Sequence, residues 1–273
     1  MRNKTTILYN HIIDQVNESG GYLTIRHLFY RLVSKGIIPK TETAYRQIIY
    51  HTCQMRKQEY LPYSVFADNT RLRRKSKAHN NLTDALEFWS QSYRRELWNN
   101  QPYYIELWSE KDAISNIVFD VADEYNVPLM ISRGFSSLTF LYNAAEEIKW
   151  HNEQGKFAII LYLGDHDPSG VKASEDVEKK LYDFGCNFRF QRLAVNEWQI
   201  KEYNLPTRPT KESKHSKGFE GESVEIDAME PQLIKRFVRE AIEYNIDTKE
   251  LENVRNAEAL EKETLRKVQL NMS

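Results

Sequence analysis

Cysteines, long apolar runs and a phosphate-binding loop are what this sequence largely lacks, and each shortage removes a class of protein. Its two cysteines, Cys53 and Cys186, stand far apart with no CxxC pair and no nearby pair of histidines. That excludes a disulfide framework and a zinc site, and both are expected to be buried thiols. No apolar stretch approaches the roughly 18 residues of a membrane span. The opening MRNKTTILYNHII runs straight into an amphipathic pattern, without a continuous apolar signal core ahead of small cleavage-site residues. The expectation is a cytoplasmic protein with no membrane association. No GxxxxGK[ST] segment occurs, so nothing in the chain points to ATP hydrolysis. There is no internal repeat.

What is present is a globular composition, 41% hydrophobic and 28% charged over 273 residues, enough for two modest domains each with its own core. The formal net charge of −1 conceals an asymmetry. Residues 1 to 100 carry 16 Lys and Arg against 8 Asp and Glu, and the remainder carries 22 against 31. The first hundred residues are therefore the natural surface for a polyanion, set against the plainer reading of solvated charges clustered by chance.

Apolar positions at Ile7, Leu8, Ile12, Ile13 and Val16 form a helical stripe that Gly20-Gly21 ends. Thr24 caps a second helix, which stops at Gly36, and Pro39 with Thr41 introduces a third, TETAYRQIIYHTCQMRKQEY. After Pro62 comes a strand-like run, YSVFA, then the basic cluster RLRRKSK at 71 to 77. Three short helices followed by an extended hairpin-like piece resemble a winged helix-turn-helix. Arg71, Arg73, Arg74, Lys75 and Lys77 are expected to face DNA phosphates, against a solvated-loop alternative. Residues 82 to 98 read as one more helix, and a boundary falls at Asn99 to Pro102.

From Tyr103 the pattern changes. YYIELW, VPLMIS and FAIILYL are each followed by a helix, and FRFQRLAV comes next. Continuous apolar runs of this length alternating with helices predict an α/β domain with a parallel sheet covered on both faces. Beyond it lie a Pro, Gly and Lys-rich loop, LPTRPTKESKHSKGFEG, a short strand, SVEIDA, a helix, PQLIKRFVREAIEY, and a solvated terminal helix. Lys211, Lys214, His215 and Lys217 fall in the loop, where they could close over DNA.

Two acidic motifs sit where parallel strands hand over to helices, the edge at which such sheets build their sites. YYIELW leads to Ser109-Glu110-Lys111-Asp112, and FAIILYL leads to Gly164-Asp165-His166-Asp167-Pro168. If those strands are neighbours, Glu110, Asp165 and Asp167 converge, and carboxylates so clustered repel unless a cation lies between them. Hard oxygens without thiolate suit Mg²⁺, which keeps waters and binds phosphate oxygens at its open positions. Each acid alone has a simpler reading: Asp167 as a helix N-cap before a first-turn proline, Glu110 as a first-turn acid favoured by the helix dipole. Arg133, ending VPLMIS, meets a phosphate or pairs with an acid.

A strand leading to Glu110-Lys111, then about 55 residues later a strand ending in Asp165-His166-Asp167 with Pro168-Ser169-Gly170 behind it, resembles the Toprim domain of topoisomerases, bacterial primases and certain nucleases. More narrowly, VPLMISRGFSSL before LYLGDHDPSGV, and the later VEIDAMEP, resemble the A subunit of topoisomerase VI and the related meiotic break-forming enzyme. The resemblance implies a mainly α winged-helix DNA-binding domain over 1–100, a Rossmann-like Toprim domain over 101–200 and a C-terminal α/β extension over 201–273. It assigns Mg²⁺ binding to Glu110, Asp165 and Asp167.

It also implies a nucleophilic tyrosine, the second of an aromatic pair with an arginine four positions earlier. Here that segment reads Arg26-His27-Leu28-Phe29-Tyr30, with phenylalanine where many relatives have a first tyrosine. By helical geometry Tyr30 falls roughly 130° from the centre of the stripe Ile25, Leu28, Phe29, Leu32 and Val33, so it is not an obvious core residue. Arg26, one turn back, lies on nearly the same side. The implied activity is Mg²⁺-dependent cleavage of double-stranded DNA by tyrosine transesterification, in a homodimer whose tyrosine works with the partner's metal site. Strand passage would require a separate ATPase subunit. The chain is shorter than the usual A subunit, a compact relative with a nucleoid-associated or viral setting. Two alternatives stand beside this: a hydrolytic nuclease using metal-activated water, and a non-catalytic DNA-binding subunit.

Overall fold

The computed structural model describes residues 2–19, 23–66, 77–210, 219 and 221–272. The chain begins with three helices, α1 (Arg2–Glu18), α2 (Ile25–Ser34) and α3 (Glu42–Lys57). Thr24 caps α2 by accepting from the His27 amide, and Thr41 caps α3 by accepting from that of Ala44, each satisfying a first-turn N–H that has no helical partner. The described part of the run YSVFA is a 3₁₀ turn, Tyr63–Val65, followed by a parallel bridge from Phe66 to Leu23. Ala67 lies outside the described residues. Arg71, Arg73, Arg74 and Lys75 lie outside the described residues; Lys77 lies over the Phe88 ring. Cys186 is buried, whereas Cys53 on α3 is only half-buried, since that helix faces solvent on one side.

α4 (Leu82–Ser92) stops short of the expected end at residue 98. The next residues are recruited by the C-terminal helix instead: the Arg95 amide and the Tyr93 hydroxyl donate to Glu258 and Glu261. Then come β1 (Tyr103–Ser109), α5 (Asp112–Glu124), β2 (Leu129–Ile131), α6 (Leu138–Glu153), β3 (Phe157–Leu163), α7 (Pro168–Asp183), β4 (Phe188–Ala194) and α8 (Glu197–Glu202). SVEIDA, expected as a strand, forms two isolated bridges, Ser223 to Arg208 and Val224 to His166, and a 3₁₀ turn, Ile226–Ala228. α9 (Pro231–Tyr244) and α10 (Thr248–Met272) close the chain.

The four strands are parallel, in the order β2-β1-β3-β4, so the protein is α/β. Strict alternation divides the buried side chains between two faces. Ile105, Leu107, Ile159, Leu161 and Leu163 join a core that includes α5 and α9 and continues into the N-terminal helices through Ile12, Leu28 and Ile48. Tyr104, Trp108, Ala158, Ile160 and Tyr162 form the second core with α6 and α7. Among the described residues, no helix is long and apolar enough to cross a membrane.

The topology decides where a site can form. β1 is followed by a helix that leads to β2 on one side, while β3 lies on its other side and leads outward to β4. The connections therefore diverge beyond the carboxyl ends of β1 and β3, opening a crevice there.

Candidate functional site

β1 and β3 are in register, Ser109 beside Leu163, and the Glu110 amide adds one more bond to the Leu163 carbonyl at 2.9 Å. Both acidic motifs thus leave the sheet side by side. The Glu110 carboxylate folds across the crevice and accepts from the Asp165 amide at 3.2 Å. Two glycines make room for it. A Cβ on Gly164 would sit 2.8 Å from Glu110 Oε2 and 2.7 Å from the Tyr162 ring; one on Gly170 would sit 2.5 Å from the Asp165 carbonyl oxygen. Burial, and then the Asp165 charge, push the Glu110 carboxyl above its ordinary range.

Asp165 is buried and uses both oxygens: Oδ1 accepts from the Ile226 amide at 2.9 Å and Oδ2 meets Lys111 Nζ at 2.8 Å. Burial pushes its carboxyl up against the pull of Lys111. Asp167 caps α7 by accepting from the Ser169 and Gly170 amides, and its other oxygen lies 3.1 Å from Arg208. The capping reading of this residue is therefore realised, alongside its place in the cluster.

Two acids that the sequence reading did not single out complete the group. Glu225 and Asp227 lie at the 3₁₀ turn, with Asp227 Oδ2 2.9 Å and Glu225 Oε2 3.5 Å from Lys111 Nζ. Arg26 pairs with Glu225, and Arg208 Nη1 lies 2.9 Å from Glu225 Oε1. Burial works against charge on both acids. Lys111 and Arg26 outweigh it at Glu225, Lys111 and His27 outweigh it at Asp227, and both carboxyls end below their ordinary range. Their one local signal was the pair of acids in VEIDA, within a segment that folds as two isolated bridges and a 3₁₀ turn instead of a strand.

Glu110, Asp112, Asp165, Glu225 and Asp227 line a cavity of about 560 Å³ together with Lys111, Arg26, Arg133 and Arg208, and Asp167 reaches the group through Arg208. Buried charge of one sign in excess is costly without a counterion; with Asp167 and the half-buried Arg192 guanidinium beside Glu110 and Asp165 included, six carboxylates stand against five cations, an excess of one. The donor set suits a hard divalent cation in kind. As placed, however, no three His, Cys, Asp or Glu side chains among the described residues converge to hold a metal ion. Lys111 Nζ lies 2.8 Å from Asp165 Oδ2, and Arg208 Nη2 lies 3.1 Å from Asp167 Oδ2. A metal bound to those oxygens would compete with both contacts.

Tyr30 lies in an adjoining cavity of about 410 Å³, and the two share Arg26, Arg208 and Glu225 as a common wall. Its ring is buried, 4% exposed, packed edge-on against Phe29 with Lys40 Nζ above it. The helical wheel placed Tyr30 away from the apolar stripe, but α2 is covered on both sides: the 3₁₀ turn at Ile226–Ala228 packs against it as well. Burial, and then Glu225, raise the phenol to about 12 despite Arg26. His27, three residues before Tyr30 on α2, is buried, with Nδ1 bonded to Thr24 Oγ1.

Arg133 is exposed on the rim of the acid cavity and pairs with Asp112 at 3.0 Å. Lys77 is exposed, and Lys211, Lys214, His215 and Lys217 lie outside the described residues. Neither protein-family models nor curated proteins give a match to this chain.

Proposed function

We propose that this chain is a DNA-cleaving transesterase, with a winged-helix-like N-terminal part, a Toprim-like sheet and Tyr30 as nucleophile. The observation that carries the reading is the shared wall: one face of Arg26, Arg208 and Glu225 lines the tyrosine cavity and the other lines the carboxylate cavity. Glu110, Asp165 and Asp167 would hold Mg²⁺. When bound, the ion supplies neutralisation of charge on the non-bridging and leaving oxygens of a phosphodiester.

The remaining steps belong to side chains. Tyr30 Oη attacks phosphorus, forming an O–P bond as the bond from phosphorus to a deoxyribose oxygen breaks. The phenolic proton passes to water and the leaving oxygen takes one from water. A phenol raised to about 12 is a weak nucleophile. Arg26, whose guanidinium favours the phenolate, must therefore shift its balance from Glu225 towards Tyr30 when a phosphate enters. A homodimer in which two such sites cut both strands is part of the proposal; the shared wall favours Tyr30 acting with the carboxylates of its own chain, in place of the partner's metal site that the resemblance implies.

A second reading is favoured by the same burial. A tyrosine 4% exposed is poorly placed to attack unless it moves, and a water activated at the carboxylates gives hydrolysis without it. One experiment separates the two. Labelled duplex is incubated with protein and Mg²⁺ and denatured in detergent. Label retained on the polypeptide, and lost in Tyr30→Phe and Asp165→Ala, supports transesterification. Free ends produced equally by Tyr30→Phe establish hydrolysis and overturn the first reading. Absence of any cutting by pure protein leaves a DNA-binding subunit and overturns both.

A further inference from the structure

The two cavities that share a wall carry opposite imbalances of charge. The carboxylate side has acids in excess, and the tyrosine side has bases in excess by one: Arg26, Lys40 and Arg208 line it with Glu225 and Glu42. Glu225 is bonded to both arginines. Lys40 has no such partner among the described residues. Its Nζ donates to the Pro206 carbonyl at 2.6 Å and lies 5.3 Å from the centre of the Tyr30 ring. Among the described residues, no carboxylate lies within ion-pair distance of it.

A half-buried ammonium without a carboxylate is expensive unless an anion arrives from outside. Burial first, and then Arg208, push the Lys40 ammonium down to about 8, with Glu225 and Glu222 opposing and Arg26 adding to the fall. The groups around Lys40 thus disfavour its charge in the chain alone. An anion with several acceptor oxygens would reverse that balance, meeting the ammonium as a point charge and the guanidinium groups through paired N–H donors.

We propose that Lys40, with Arg26 and Arg208, seats one backbone phosphate of duplex DNA beside the Tyr30 ring. Lys40 is thereby a substrate-binding residue, and the phosphate it holds is the one presented to the phenol. The inference takes DNA as the ligand from the reading above, but it concerns binding. A chain that forms no covalent adduct can still seat the phosphate, so the two failures are distinct.

The first measurement uses the unaltered chain. Lysines are acylated with an N-hydroxysuccinimide ester at pH 8 and read by peptide mass spectrometry, with and without excess duplex. Lys40 is expected to be modified several-fold more slowly with duplex, while Lys179, exposed on α7, is unchanged. Equal rates at Lys40 overturn the proposal. Inorganic phosphate at the same phosphate concentration is the companion arm: protection as strong as that given by duplex makes the seat one for a small anion and overturns its assignment to DNA. The second measurement is the salt dependence of duplex binding. Loss of one phosphate contact in Lys40→Met should reduce the slope of log affinity against log salt by about 0.9, and Lys40→Arg should restore it. A Lys40→Met slope equal to that of the parent refutes the contact. Should Lys40→Met fail to fold for want of its bond to Pro206, the protection experiment still decides.

Discussion

Lys111→Met is the perturbation that most sharply probes the carboxylate cluster. The ammonium stands 2.8 Å from Asp165, 2.9 Å from Asp227 and 3.5 Å from Glu225, on a side chain 25% exposed. Methionine preserves most of the stem volume and removes only the charge and its donors. Breaking a buried ion pair from one side costs about 3–5 kcal/mol, because the opposing charge remains without compensation. Three acids share this cation, which places the expected loss at the upper end of that range. For a chain of this size such a loss lowers the thermal midpoint by roughly 10–20 °C. The same deletion frees Asp165 Oδ2, so millimolar Mg²⁺ should recover much of the lost stability. Scanning calorimetry with EDTA and with Mg²⁺ reads both effects. A melting temperature unchanged in EDTA would refute the role of Lys111 as the internal counterion. A Mg²⁺ increment no larger in Lys111→Met than in the parent would refute its competition with a metal.

Other consequences follow from particular contacts. Glu106 is buried in β1, accepting from Tyr104 Oη at 2.9 Å and Trp108 Nε1 at 2.7 Å, and burial raises its carboxyl to about 7. Its folded-state value lies above the unfolded one near 4.5, so stability falls as pH rises between them, by about 3 kcal/mol in all. Glu106→Gln should abolish that slope and exceed the parent in stability at pH 8, with its amide donating to the Tyr104 hydroxyl; denaturant midpoints from pH 5 to 8.5 test this, and a persisting slope contradicts it. Gly170→Ala should destabilise more than Gly164→Ala, because its Cβ meets the Asp165 carbonyl at 2.5 Å and backbone yields less readily than the side chains crowding Gly164. Overpacking of this kind costs about 1–3 kcal/mol, and the reverse order in thermal melts would show that the Glu110 carboxylate is the stiffer neighbour.

The sheet and the meeting of Glu110 with Asp165 were legible because buried parallel strands are written as continuous apolar runs, and both runs lead directly into acids. Glu225 and Asp227 were harder to read, since they belong to a segment that pairs at only two isolated bridges, behind a Pro and Lys-rich loop, where neither period holds for long. Lys111 stood next to Glu110 in the motif, but its reach to Asp227 depends on how the C-terminal segment folds back. Tyr30 was misjudged for a general reason: a helical wheel assumes one buried face, whereas α2 is enclosed by its own helical neighbours and by the distant turn at Ile226–Ala228. The early end of α4 has a similar origin, because Glu258 and Glu261 capture Arg95 and Tyr93 from 163 or more residues away. Contacts of that range leave no trace in local pattern.

The claim on which the rest depends is that the crevice beyond β1 and β3 takes a divalent cation. Calorimetric titration of Mg²⁺ into the parent chain, Glu110→Gln and Asp165→Asn tests it without any need for DNA or catalysis. One ion bound per parent chain, and weaker binding by at least tenfold in each variant, is the predicted result. Binding of equal strength in all three, or none in the parent, would contradict it.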